Sequence, residues 1–501
     1  MSIADRLAPS ERLDDAEVET GLKWMLRNGI CAQTMETLAL GPILVAYALH
    51  FGASNLSIGL LAALPQLGQL TQLPAVLAVE RIRKRRLIAV LSGAMSRPAL
   101  LIMAAAAFVP SQDIAVAMIL VALLLRYSFG SIVGCAWNSW IRDMIPEHRM
   151  GAIFANRMVW MTAVGMVVSL TAGLFVDHWP MLAPGSDVYA YSILLCVAFA
   201  AGCSSIYCMS RMPEPAMPKV EMRVPLRELL ARPFRDANFK TLMIFLAAWN
   251  FAINLAAPFF TVYLYKRVGL SVTWVTILMI VSQAANLTML RTWGRIADKL
   301  SNKAVLGVAA PLFVLSIFLW VFVTMPEKHM LTMPLLLVIH ILTGISTAGV
   351  TLASGNIWLK LAPKGEAASY LSVATLTTAL AAGIAPVIGG LFADFFADRE
   401  LTLILRWTEP ETRHVFQALN LRHWDFFFGG AAVLGLLSLH WLRAIKEVGA
   451  VEENIVIDEL LMSARQGMRN LTSVAGLRAF AGHPFELLFR RARKSGPPQP
   501  T

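Results

Sequence analysis

The sequence predicts an all-α integral membrane protein, with twelve transmembrane helices arranged as two pseudo-symmetric six-helix halves. Of its 501 residues 57% are hydrophobic and only 15% charged, which is more apolar surface than a water-soluble core can hide. Apolar runs of about twenty residues, enough to cross a hydrocarbon layer of roughly 30 Å at about 1.5 Å per residue, occur twelve times. The chain also repeats itself at an offset of 218 residues: Trp140 recurs as Trp358, and Glu80, at the head of a basic run, falls opposite Asp298. AGLFVDH around Asp177 returns as GGLFADF around Asp394, at an offset of 217. A duplicated membrane half is the architecture of a solute carrier.

Taken in order, residues 1–27 are mixed in charge and amphipathic, with no short apolar run before a small-residue cleavage site, so no cleaved signal peptide is expected. The first half, 28–210, holds the runs Gly29–Phe51, Ser57–Val79, Leu87–Val109, Ile114–Trp137, Met158–Val176 and Val188–Met209. Residues 211–240 are rich in proline and in charges of both signs, and read as a linker with one short amphipathic helix. The second half, 241–443, holds Thr241–Leu264, Val272–Leu290, Ala304–Met325, Leu331–Ala353, Ala367–Phe392 and Phe426–Leu442. Its last loop, about Ala397 to His423, is longer than its neighbours and charged, which predicts a small folded excursion. In the tail, 444–501, Ile457, Leu460, Leu461, Ala464, Met468 and Leu471 recur at helical spacing ahead of the basic run RRARK. An interfacial helix on anionic lipid and a solvated tail both fit that pattern.

The net charge of +11 does not point to nucleic acid, because of where the charges lie. Of 43 Lys and Arg, 34 fall at the end of the bundle that carries both termini and the linker, and seven at the other. That split follows the positive-inside rule and puts both termini in the cytoplasm, in a plasma membrane such as the bacterial inner membrane. The five cysteines (Cys31, Cys135, Cys196, Cys203, Cys208) sit in or beside apolar runs without zinc-type spacing and read as buried thiols, so no metal is expected. No phosphate-binding loop occurs in a soluble segment, which argues against ATP as the energy source and against any nucleotide cofactor.

GRIADKLSNK resembles the signature between helices 8 and 9 of the major facilitator superfamily, Gly-x-x-x-Asp-Arg/Lys-x-Gly-Arg/Lys-Arg/Lys. Gly294, Asp298, Lys299 and Lys303 match it, while Ser301 and Asn302 depart. The counterpart after helix 2 keeps Glu80, Arg81, Lys84 and Arg85 but has Val76 and Arg83 at the glycine positions. The resemblance implies that the acid of this turn docks at a neighbouring helix end and holds one side of the carrier shut; alternatively the basic run serves only as an orientation signal. RYSFGSIVG is similar to the superfamily's helix 4 pattern at Arg126 and Gly130, with Phe129 in place of glutamine, and GIAPVIGG (Gly383, Pro386, Gly389, Gly390) to the helix-packing pattern of its antiporters. Asn138–Gly151 and its echo Asn356–Glu366 also look like this superfamily, so the resemblance runs from Arg27 to Arg443.

Charges inside the apolar runs single out a candidate site, since each costs at least about 2.5–3.5 kcal/mol at mid-membrane. They are Glu36, Arg97 and Arg126, joined by His340 and His440. Arg126 lies too deep to reach an interface and, by the resemblance, faces a central cavity. Arg97 pairs either with carbonyls of a neighbouring helix or with a ligand. Glu36, with Gln33 on the same helical face, is either a proton-exchange site or half of a structural ion pair with one of the arginines. Asn254 lies 218 residues after Glu36, Asn250 shares its face, and Gln66 and Gln69 match Gln283 and Asn286 across the repeat. These amides mark a central aqueous cavity or interhelical hydrogen bonds. His340 reads as a packing residue or a proton carrier.

The expected function is a secondary transporter, not an enzyme, moving a small organic solute by proton-coupled alternating access; two buried arginines against one acid favour an anionic solute, with hydrophobic drug-like solutes as the alternative. Its expected partners are that solute, protons and membrane lipid, and the chain is expected to be monomeric. The alternative is a non-transporting membrane scaffold or assembly factor on the same fold, using its tail and long loop for assembly.

Overall fold

The computed structural model describes residues 9–10, 13–217, 226–324, 328–363, 367–408 and 413–447. The tail sequence read above as helix or solvated chain lies outside them. Eleven described helices are long and apolar enough to cross a membrane. The twelfth expected crossing, the second in order, is present in pieces: Asn55–Gly68, a 3-10 turn Gln69–Thr71, and Gln72–Ile82. Its interruption has a local cause in Pro74, which has no N–H to offer and whose ring crowds the carbonyl of Leu70.

Numbered as spans in chain order, the others are Asp15–Ala39 with Gly41–His50 (span 1), Arg85–Phe108 (3), Gln112–Met144 (4), Glu147–Leu182 (5) and Asp187–Ser210 (6). Those of the second half are Ala237–Lys266 (7), Val272–Lys299 (8), Asn302–Phe322 (9), Thr332–Leu361 (10), Ala367–Phe396 (11) and Trp424–Ala444 (12). Several outrun their apolar stretches. Span 1 starts fourteen residues before Gly29, its end capped reciprocally by Asp14 and Glu17. It breaks at Gly41, where φ is +62°, a value that glycine takes without strain, and Pro42 starts its second segment.

Spans 1, 5 and 6 pack together, as do 2, 3 and 4; in the second half span 7 packs on 11 and 12, and span 10 on 8 and 9. The second half is filled by an aromatic cluster in which Phe260 stacks on Trp320 at 4.5 Å and Tyr263 meets Phe428 edge-on. The amphipathic linker helix is Leu226–Arg235, set against span 11.

The long loop is a correction to a purely helical reading. It folds as an antiparallel hairpin of β1, Glu400–Thr408, and β2, Arg413–Arg422, with a register shift between Leu403 and Ile404. That bulge breaks the two-residue alternation by which a strand is recognised. We call the end of the bundle bearing this hairpin the hairpin end, and the opposite one the linker end.

Candidate functional site

Glu36 of span 1 and Arg126 of span 4 meet in the first half. Arg126 Nη2 lies 2.7 Å from Glu36 Oε1; the arginine side chain is 3% exposed and the glutamate 40%. Nη2 is thus engaged by the carboxylate, while Nε and Nη1 are buried without a hydrogen-bond partner. The Tyr127 hydroxyl donates to Glu36 Oε2 at 3.5 Å, and the Arg126 guanidinium lies 5.1 Å from the Tyr127 ring centroid. The pair is thus close, yet the guanidinium keeps two donors, Nε and Nη1, without an acceptor.

Arg97, a buried cation on span 3, donates to the Gly202 carbonyl of span 6 at 3.3 Å and to Ser96 Oγ at 2.6 Å. It thereby bridges spans 3 and 6. His340 is buried, bonds to Leu336 O of its own helix and meets Trp320 edge-on, a packing arrangement. The amides of the polar stripes are half-buried except for exposed Gln283. Several hold their hydrogens locally: Gln33 Nε2 donates to Thr37, Gln69 Nε2 to Gln66, Asn250 Nδ2 to Leu246 O and Asn254 Nδ2 to Asn250 O. An asparagine that spends its N–H on its own helix turns its carbonyl oxygen outward as an acceptor. The Asn286 side chain lies one turn along span 8 from Gln283.

Hydrogen bonds between the halves gather at the hairpin end. Asp177, at the end of span 5, accepts from the backbone N–H groups of Val272 and Thr273 at 3.1 and 2.9 Å and so caps the start of span 8. Its repeat counterpart Asp394, at the end of span 11, accepts from Asn55 Nδ2 at 2.8 Å at the start of span 2. Tyr265 donates to Pro42 O at 3.1 Å. Spans 2 and 11 approach backbone to backbone: a Cβ on Gly59 would stand 2.2 Å from Pro386 O, and one on Gly390 would stand 2.6 Å from Asn55 O. Of the GIAPVIGG residues, Gly383 meets Leu67 and Gly390 meets Asn55 across the seam, while Gly389 packs within its own half on Leu255 and Phe259.

At the linker end, each half is instead closed on itself. Glu214, 1% exposed, accepts from the backbone N–H groups of Arg85 and Arg86 at 2.6 and 3.1 Å, capping span 3. The fully buried Arg85 also pairs with Asp143 and donates to Pro215 O at 2.7 Å. In the second half Glu447 accepts from Asn302 N at 3.3 Å and Lys303 N at 2.7 Å, capping span 9, with Lys360 Nζ 3.2 Å away. Burial raises the Glu447 carboxyl, but the donors Lys303 N, Asn302 and Lys360 outweigh it and hold the group below the usual carboxylate range.

A helical membrane bundle with an internal repeat and an ion pair set between two of its helices agrees with the comparisons to known proteins. A family profile described as Major Facilitator Superfamily matches residues 28–386 and 290–490. The chain belongs to the Major Facilitator Superfamily. No curated protein matches it by sequence. Among solved structures it is similar to the nucleoside transporter NupG, at 13% identity with a TM-score of 0.61, covering 85% of this chain and 98% of that one. A bacterial homologue of the iron transporter ferroportin, in an inward-facing state, gives 12% identity, a TM-score of 0.60 and coverage of 86% and 99%. A peptide transporter of the POT family gives 14%, 0.57, 89% and 99%. At such identities the likeness is one of fold.

The superfamily's signature residues sit less simply than the resemblance implies. Glu80 and Arg81 are exposed at the end of span 2, Asp298 and Lys299 are exposed at the end of span 8, and Gly294 is half-buried one turn earlier. Among the described residues the acids that reach across to the start of a span distant in sequence at the linker end are Glu214 and Glu447, which sequence reasoning missed. The signal was available: each follows the last span of its half by three or four residues, and Arg85 and Lys303, which they cap, are 218 apart. Lys303 also donates to the Arg443 and Ile445 carbonyls at 2.9 and 2.7 Å. An apolar groove of about 720 Å³ between spans 3 and 6, lined by Leu101, Phe108, Tyr189 and Cys196, opens outward on the bundle surface away from Glu36 and Arg126.

Proposed function

We propose that the chain is a secondary active transporter that carries a small organic anion together with protons, by alternating access to a site between the halves at Glu36 and Arg126. The observation that supports this reading is the state of Arg126, almost wholly buried, beside a carboxylate that is half open, with donors left unfilled. A guanidinium offers a planar fork that fits a carboxylate or phosphate at two points. Glu36 and a solute anion therefore compete for one cation. A proton on Glu36 frees the fork for the solute; loss of that proton restores the ion pair and releases the solute. Such competition couples solute to proton without ATP. The amide stripes supply the walls of the cavity. With both termini in the cytoplasm of a plasma membrane, the hairpin end faces outward, and the Asp177 and Asp394 contacts hold the outer side shut while the inner side is open. Solute, protons and lipid are the partners of this reading, with a single chain as the working unit.

Proteoliposomes offered radiolabelled carboxylates and phosphates under an imposed pH gradient test the proposal. Glu36→Gln should retain gradient-free exchange of solute yet lose gradient-driven accumulation, because the amide cannot exchange a proton. Arg126→Lys keeps the charge without the fork and should weaken anion binding by roughly tenfold, about 1.4 kcal/mol, and Arg126→Gln by more. Wild-type accumulation by Glu36→Gln would sink the coupling role, and unaltered affinity in both Arg126 variants would sink the anion site.

A further inference from the structure

We infer that Arg157 and Trp137 form a second anion site, distinct from Arg126, that holds a flat organic carboxylate on the linker-end side of the cavity. Arg157 is the eleventh residue of span 5, roughly 15 Å into the helix from its start. Its guanidinium carbon stands 4.7 Å from the centroid of the Trp137 ring on span 4. Spans 4 and 5 make little backbone contact with each other, so these side chains bridge a gap between helices. Gly29 of span 1 closes the back of the site; a Cβ there would come 2.9 Å from Arg157 Nε.

Two buried donors in this cluster have nothing to donate to. Arg157 Nε and Trp137 Nε1 both lack an acceptor, and no carboxylate pairs with Arg157 among the described residues. The indole face offsets part of the cation's desolvation but cannot accept the in-plane N–H groups. Those edges fit an acceptor that brings its own negative charge. Trp137 also meets Phe154 edge-on at 6.4 Å, an apolar wall on which a flat ring can lie.

The site is placed to exchange solute with Arg126. Arg126, Gly130, Gly134 and Trp137 fall on one face of span 4, and the eleven steps from first to last span about 16 Å. A Cβ at Gly130 or Gly134 would meet nothing within 4 Å, so that face is open and smooth. With Arg97 and Arg126, Arg157 makes three arginines set well inside spans 3, 4 and 5, with Glu36 the acid paired to Arg126.

The inference rests on the anion-carrier reading of Arg126, and the experiment separates the two. Equilibrium dialysis of the purified full chain against 2-naphthoate, with neutral 2-naphthamide as control, should show two naphthoate sites and no comparable binding of the amide. Arg157→Gln should abolish one site and leave the other; Arg157→Lys should weaken it by roughly tenfold while retaining it. Arg126→Gln should remove the complementary site. Unchanged stoichiometry and affinity in Arg157→Gln, or no naphthoate binding by the wild type, overturns the second site. Loss of a site in Arg157→Gln but not in Arg126→Gln leaves this inference standing and overturns Arg126 as receptor. Thermal melting of each variant in detergent distinguishes a lost site from a lost fold.

Discussion

Single residues show most clearly what lipid enforces. Glu36 and Arg126 could be picked from the sequence because a charge in an apolar run is too costly to be incidental, and the structure brings the two together at 2.7 Å. Arg157 could not, because it stands one residue outside its apolar run and reads as one more basic loop residue; only the fold shows it stacked on Trp137. Glu447 was harder to pick out for another reason: only its place just after the last span hints at it, and its importance lies in two backbone N–H groups 145 and 144 residues away. Its lowered carboxyl stabilises the folded state above the pKa of the unfolded chain, and that stability disappears as pH falls through the folded value. Glu447→Gln should therefore cost about 1 kcal/mol at neutral pH and flatten the acid side of the melting-temperature profile; an unchanged profile would make the cap inert.

At the scale of elements, the apolar runs locate the crossings well and their ends poorly. Span 4 runs on to Met144 and span 5 begins at Glu147, because helix ends are set by caps and prolines rather than by where hydrophobicity stops. The repeat AGLFVDH/GGLFADF was visible, but its meaning was not: each aspartate leans on a helix start of the opposite half. If these contacts hold the hairpin end shut, Asp177→Asn combined with Asp394→Asn should loosen it. Loss of a charged cap is worth about 1 kcal/mol, roughly a fivefold change in a population ratio. Spin labels at Gln112 and Lys328 should then report a longer-distance population that the parent lacks, and identical distance distributions would reduce the two acids to solvated helix ends. Asp298, exposed here, belongs on this reading to the opposite gate.

Across the whole molecule, duplication and basic-residue bias were legible because both are properties of long stretches. The hairpin Glu400–Arg422 was not, since a bulge between Leu403 and Ile404 hides its period. The orientation proposed from the 34-to-7 split is open to direct measurement on a cysteine-free background. Cysteines at Ser111 and Ser186 should react with an impermeant maleimide added to intact cells, and one at Ser210 should not; the reverse pattern would invert the carrier in its membrane. The two linker-end clasps reach further than the helices they cap. Because Glu214 ties the exit of the sixth span to the entry of the third, and Glu447 ties the twelfth to the ninth, each half closes into a ring that does not need the other's covalent attachment. The linker is then a tether and not a girder. A gene cut between Glu221 and Met222, with the two pieces co-expressed, should yield halves that find each other in the bilayer and copurify, whereas a chain whose halves were held in shape by the connection would be degraded as fragments.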